Sequence, residues 1–206
     1  YQITSKKNGK SIFIPFAGFK RDKPQTREIS ADEEVAVCMT NLRRIDDMVY
    51  NAWTFAFQND RIGRYGKLRP DGISIRPVKG PGMPVPNNCV DLGLASGILW
   101  AKYNLGTTDP TKPGGYYAWG ETIEKDEYSW DTYAHYNSNK YSFINIGSDI
   151  TGSSFDVAHV RMGGSWQMPT VEQLKELYEN CDQEWTQQNG VDGILVTGPN
   201  DAQIFL

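Results

Sequence analysis

Apolar and polar positions alternate most cleanly between Val49 and Gln58. Tyr50, Ala52, Thr54 and Ala56 fall on one side, and Asn51, Trp53, Phe55 and Phe57 on the other. That period of two predicts a β-strand with aromatics on one face. Residues 11–19 are also strand-like, but Pro15 makes the far end an edge or a bend. Residues 73–78 form a short strand, set off by the turn signal Pro70-Asp71-Gly72. Residues 90–94 and 98–101 read as two strands around Ser96-Gly97. A helical stripe appears near the end, where Leu174, Leu177 and Tyr178 are spaced i, i+3, i+4. Thr170 caps that helix, Gln173 three residues on completes a capping box, and Pro169 precedes it. Residues 122–161 show neither period and predict a long loop with Tyr128, Trp130, Tyr133, Tyr136, Tyr141 and Phe143 among polar residues. Strands, linker, strands, long loop, helix and hairpin in that order predict an α+β fold dominated by antiparallel strands.

The two ends of the chain repeat one another. Residues 1–14 and 194–206 align with a one-residue gap, each reading as strand, turn, and a second strand that closes on Ile-Phe-aliphatic (Ile12-Phe13-Ile14 and Ile204-Phe205-Leu206). Asn8-Gly9 suits the front turn, because both residues tolerate positive φ. Such a repeat arises either when a chain is cut from a tandem array or when one domain is opened and rejoined elsewhere. The stretch Lys79-Gly80-Pro81-Gly82-Met83-Pro84-Val85-Pro86-Asn87-Asn88 is rich in Pro and Gly and reads as a linker.

Composition narrows the class without naming a ligand. The chain has 206 residues, 39% of them hydrophobic, 12% aromatic and 22% charged, which is globular rather than disordered. A net charge of −4 with no long basic run argues against nucleic acid. Arg43-Arg44 with Arg61, Arg64, Lys67 and Arg69 read as a solvated loop face. No apolar run reaches the length of a membrane helix. The chain opens on Tyr1 without a signal peptide, so its true N-terminus is expected upstream. Cys38, Cys89 and Cys181 make no disulfide framework, and with His135 and His159 as the two histidines no zinc site is expected.

Longer motifs carry a resemblance. Val90-Asp91-Leu92-Gly93-Leu94, Ser96-Gly97 and Trp100-Ala101 are followed by Asn104-Leu105-Gly106 and by Tyr117-Ala118-Trp119-Gly120-Glu121. Then come Gly163-Gly164-Ser165-Trp166-Gln167-Met168-Pro169-Thr170, Asn180-Cys181 and a run from Trp185 to Gly193. In this the chain resembles the Fibrobacter succinogenes major paralogous domain family of secreted and surface proteins in Bacteroidetes and Fibrobacter. Pieces expected at that family's end stand here at the front, as Pro15-Phe16-Ala17-Gly18-Phe19 and Gly72-Ile73-Ser74-Ile75-Arg76-Pro77-Val78. The resemblance implies that 1–78 is the C-terminal half of a family domain, 79–88 a linker and 89–206 the N-terminal half. The halves are expected to complement each other, whether permuted, tandem-cut or swapped. It further implies a C-type-lectin-like or formylglycine-generating-enzyme-like fold, a twisted antiparallel sheet with one or two helices and long loops. Tyr103 replaces a family cysteine, so Cys181 is expected unpaired or paired in a way peculiar to this chain.

Chemistry is sparse in the sequence. Asp32-Glu33-Glu34 and Asp46-Asp47 read as solvated charge, and neither histidine sits near a nucleophile motif. Gly163-Gly164-Ser165 reads as a tight turn that lets Trp166 pack, and Trp100, Trp119 and Trp166 as core. Asp126, Glu127 and Asp131 fit no standard calcium loop. Tyr128, Trp130, Tyr133 and Tyr136 are the candidate ligand-binding residues, either an exposed platform or a clamp that holds the loop down. The expectation is a non-enzymatic recognition or adhesion module without cofactor or metal. It is expected extracellular or at the cell surface, anchored to an outer membrane through its flanks, with a glycan or protein as ligand. Self-association through exchanged half-domains and a structural repeat of an extended surface protein or filament are the alternatives; an enzyme carries least weight.

Overall fold

The computed structural model describes residues 19–20, 35–43, 50–58, 62–81, 86–137, 139 and 141–205. The front hairpin with Asn8-Gly9, most of the 11–19 strand, Asp32-Glu33-Glu34, Asp46-Asp47, Arg44, Arg61 and the linker centre at 82–85 lie outside them. The described residues form an α+β molecule, sheet-rich, with two helices and several small antiparallel sheets.

Three strands, β2 (Val35–Arg43), β3 (Asn51–Gln58) and β4 (Ile62–Leu68), make one antiparallel sheet in chain order. On β3 the small side chains Ala52, Thr54 and Ala56 face the core. Trp53, on the other face, is half-buried and carries the Arg64 guanidinium 4.0 Å over its ring. Buried hydroxyls are satisfied across the ladder: Thr40 donates to the Trp53 carbonyl and Thr54 to that of Tyr65.

Everything from Arg69 to Val78 is buried, and this run is the spine of the molecule. Its strand β5 (Gly72–Ile73) pairs with β1 (Phe19–Lys20), and Ile73 also exchanges two backbone hydrogen bonds with Tyr117. Ser74–Pro77 leaves regular structure, yet the Ile75 and Pro77 carbonyls accept from the Leu105 and Ala101 amides. The spine ends in β6 (Val78–Lys79). A four-stranded sheet then runs in the order β11 (Trp166–Gln167), β6, β8 (Leu99–Ala101), β7 (Cys89–Asp91). Two cores flank the spine. Ile73 and Ile75 lie with Met39, Tyr117, Trp119 and Met168, while Val78 lies with Leu92, Trp100, Leu174 and Val196.

The helix α2 (Val171–Asn180) carries the capping box that its sequence announces, with Thr170 accepting from the Gln173 amide. Its buried stripe is Val171, Leu174 and Leu177; Tyr178, expected on that stripe, is 38% exposed. The stripe shifts toward the N-terminus because the helix stops at Asn180, where the chain turns into β12 (Asp182–Gln188). That strand pairs with β13 (Val191–Thr197) through a turn at Asn189-Gly190 with φ of 52° and 79°. Asn-Gly is the turn signal for such a hairpin, but the apolar pattern around it is too broken to reveal the strands. β13 pairs with β14 (Gln203–Phe205), completing the closing hairpin.

Residues 122–161, expected as continuous loop, also hold ordered elements. These are the small hairpin β9 (Tyr136–Asn137) with β10 (Ser142–Phe143), and the start of a six-residue helix α1 (Val157–Met162). A helix this short shows no period of its own; it is set by Asp156. That buried carboxylate accepts from the amides of Gly152, Ala158, His159 and Met168, so it caps α1 and ties it to the strand after it. Cys89 and Cys181 are buried and free. No helix among the described residues is long and apolar enough to cross a membrane.

Candidate functional site

The long loop is anchored from inside by two of its tyrosines. The Tyr128 ring lies on Gly72, where an added Cβ would stand 2.6 Å from the ring, and its hydroxyl donates to the Tyr116 carbonyl. Glycine in Pro70-Asp71-Gly72 is thus fixed by close approach of the ring. The Tyr133 hydroxyl accepts from Arg69 Nε at 3.2 Å and donates to the Trp119 carbonyl at 2.7 Å. Burial holds both phenols above the ordinary range, Tyr128 at about 12 and Tyr133 higher still.

Arg69 is a correction to the solvated basic face expected of its stretch. It is buried, with its guanidinium 4.9 Å from the Trp119 ring centre, 5.4 Å from Tyr133 and 4.5 Å from Phe143. Weak hydration and a flat shape let a guanidinium stack between rings where an ammonium would not.

Above Arg69 the aromatics become a surface. Trp130 packs edge-on against Tyr50 at 6.0 Å, Phe143 at 5.7 Å and Tyr133 at 6.1 Å, and lies 5.0 Å from Tyr136. Tyr50 is 51% exposed, Tyr141 at the β9–β10 turn 85% and Ile144 52%. The four candidate residues therefore divide. Tyr128 and Tyr133 are buried clamps, whereas Trp130 and Tyr136 are half-buried members of an aromatic face that Tyr50 and Phe143 extend, with the exposed Tyr141 two residues before Phe143 in the chain. Tyr141 and Phe143 stood in the expected loop; Tyr50 lies before β3, and no sequence signal links it to them.

The other side of the same loop walls a cleft of roughly 430 Å³, between Gly120–Lys125 and Thr132–His135, with Ser154 and Phe155 behind. Lys125 Nζ reaches both Glu121 oxygens, at 2.9 and 2.7 Å, and the Thr132 carbonyl at 2.9 Å. Glu121 Oε1 also accepts from the Ala134 amide at 2.7 Å, so this ion pair staples one wall to the other. His135 stands perpendicular to Tyr133 and Phe155, at 5.5 and 5.3 Å. Its Nε2 is 2.9 Å from the Gly120 carbonyl, which only accepts, so Nε2 donates there, and in the neutral ring Nδ1 is an acceptor. A larger cleft of roughly 570 Å³ lies over Asn104 and Met162. The Asn104 amide there is already spent on Arg76 Nε and the Pro113 carbonyl.

Gly163 and Gly164 take positive φ as the tight turn requires, and Trp166 packs behind them. Among the described residues no three carboxylates, histidines or cysteines converge as metal ligands. Compared with models of known families, with curated proteins and with solved structures, the chain matches none.

Proposed function

We propose that this protein is a non-enzymatic recognition module of C-type-lectin-like fold. It acts in adhesion outside the cell and binds a glycan or protein ligand through the aromatic face of its long loop. The observation that carries the reading is the cluster of Tyr50, Trp130, Tyr136 and Phe143, with the exposed Tyr141 two residues before Phe143 in the chain. Partly exposed rings are gathered on one face and backed by a buried arginine. Rings that combine large apolar area with few rotatable bonds suit contact surfaces. A loop clamped at Tyr128 and Tyr133 holds them in place before a ligand arrives, which lowers the ordering cost of binding.

The family likeness in the motifs from Val90 to Gly193 supports the same fold and a surface location. The insertion of β6 between β11 and β8 supports the complementing of the front half by the back half. The test is a glycan array probed with the purified chain beside Trp130→Ala and Tyr141→Asn. Asparagine tolerates the φ of 48° at position 141. Array signal should fall about tenfold or more in Trp130→Ala, and measurably in Tyr141→Asn, with the melting profile of Tyr141→Asn unchanged. Binding that survives both substitutions would remove the aromatic face from the reading.

A further inference from the structure

The cleft behind the aromatic face has chemistry of its own. Its one lysine, Lys125, is held by Glu121 and the Thr132 carbonyl, and Arg161, just outside the lining, gives its Nε to the Thr122 carbonyl and lies over the Tyr117 ring. The unspent groups are mostly acceptors. His135 Nδ1 has no hydrogen-bond partner among the described residues, and Glu124 receives one hydrogen bond, from the Tyr117 hydroxyl at 3.3 Å. The Ser154 hydroxyl likewise has no partner among the described residues, and adds a group that both donates and accepts.

Beside these polar groups stand apolar surfaces. The Phe155 and His135 rings meet edge to face, and Ile123 is 72% exposed at the rim. A volume of roughly 430 Å³ is at the small end of the about 300–1,000 Å³ typical of ligand clefts.

Acceptors in excess, no uncommitted lysine in the described lining, a small volume and an apolar wall together describe a compact neutral molecule with several hydroxyl donors and one C–H face. We infer that this cleft binds a single neutral pyranose residue, its hydroxyls on His135 Nδ1, Glu124 and Ser154 and its apolar face toward Phe155. The inference rests on the recognition reading and deepens it. The aromatic face supplies area for an extended ligand, and the cleft selects one sugar unit of it.

Saturation-transfer NMR on the full chain tests this with a panel of neutral methyl pyranosides, alongside butylamine and acetate. The expected result is transfer from protein aromatic protons to one or more pyranosides, with none to acetate or butylamine. His135→Phe keeps the ring packing but removes Nδ1 and should weaken binding about tenfold; Ser154→Ala, at an exposed site, should weaken it several-fold. A pyranoside signal that His135→Phe weakens reads the cleft, whatever Trp130→Ala does on the glycan array, which keeps the two readings apart. The assignment fails if no pyranoside in the panel binds or if butylamine binds in their place. It fails equally if pyranoside binding is kept in both His135→Phe and Ser154→Ala.

Discussion

Asp156 shows how one side chain sets local structure that no pattern announces. Its carboxylate is buried and accepts from four backbone amides, and among the described residues no basic side chain bonds to it. Burial raises its pKa, and the amide hydrogen bonds pull against that rise. Asp156→Ala leaves these amides without their acceptor, and is expected to cost about 2–4 kcal/mol in urea unfolding. Cys181 and Tyr128 make a prediction about alkali. Burial, with the nearby Asp182 and Glu176 carboxylates, pushes the Cys181 thiol from 9.0 up to about 12; burial first pushes Tyr128 from 10.0 up to about 12. Both folded-state values lie above the unfolded ones, so the folded state keeps protons that the unfolded state releases. Stability is therefore full below about pH 9 and falls as pH climbs toward 12. Urea midpoints measured at pH 8, 9.5 and 11 should decline in that order; a midpoint flat across the window would contradict the burial of these groups.

At the level of elements, the closing hairpin shows what its slot in the fold demands. The turn between β13 and β14 is tucked against the Val90–Leu94 strand end. Asn200 donates to the Asp91 carbonyl, and a Cβ on Gly198 would stand 2.1 Å from the Leu92 carbonyl oxygen. Aligning Val196-Thr197 with Ile3-Thr4 puts Ser5 of the front copy at the Gly198 position. The two segments share an apolar pattern, but the slot occupied by the closing one demands a residue without a side chain, which the front segment lacks at that position. Gly198→Ser, which writes the front copy's residue into the back one, should destabilise the fold by about 1–3 kcal/mol through overpacking. A variant as stable as the parent would make the two hairpins equivalent after all. Helix α2 was legible because its signals are local: a cap, its partner three residues on, and an apolar stripe. Strand β12 was not, since Asp182–Gln188 has one strongly apolar residue, Trp185, and earns its place only by pairing with β13.

Across the whole molecule, the spine from Arg69 to Val78 joins segments far apart in sequence. Strand β6 bonds to β8 and β11, and Ile73 bonds to Tyr117, so the spine is embedded in the back of the chain. A protease site engineered at 82–85 and cut to completion should leave two fragments that co-elute under native conditions. They should separate only in denaturant, because the apolar contacts and ladder bonds between them outlast one broken peptide link. Fragments that part freely without denaturant would contradict this packing.

The sequence by itself determined the elements whose cause lies within a few residues: the alternating strand at 51–58, the capped helix, the turns at Ser96-Gly97 and Gly163-Gly164, and tryptophans too large and apolar to leave outside. It also carried the likeness of motifs on which the fold and recognition proposals draw. It did not determine which aromatics of the long loop face out. Tyr128, Trp130, Tyr133 and Tyr136 are alike in pattern, and only the position of Gly72, Trp119 and Arg69 beneath them sends Tyr128 and Tyr133 inward. Tyr50 joins their surface from nearly eighty residues away, and Glu121 and His135 face one cleft because Lys125 and the Ala134 amide close the loop on itself. Burial, stacking and ion pairing between distant segments depend on distances in space, and the order of residues along the chain does not encode those distances locally.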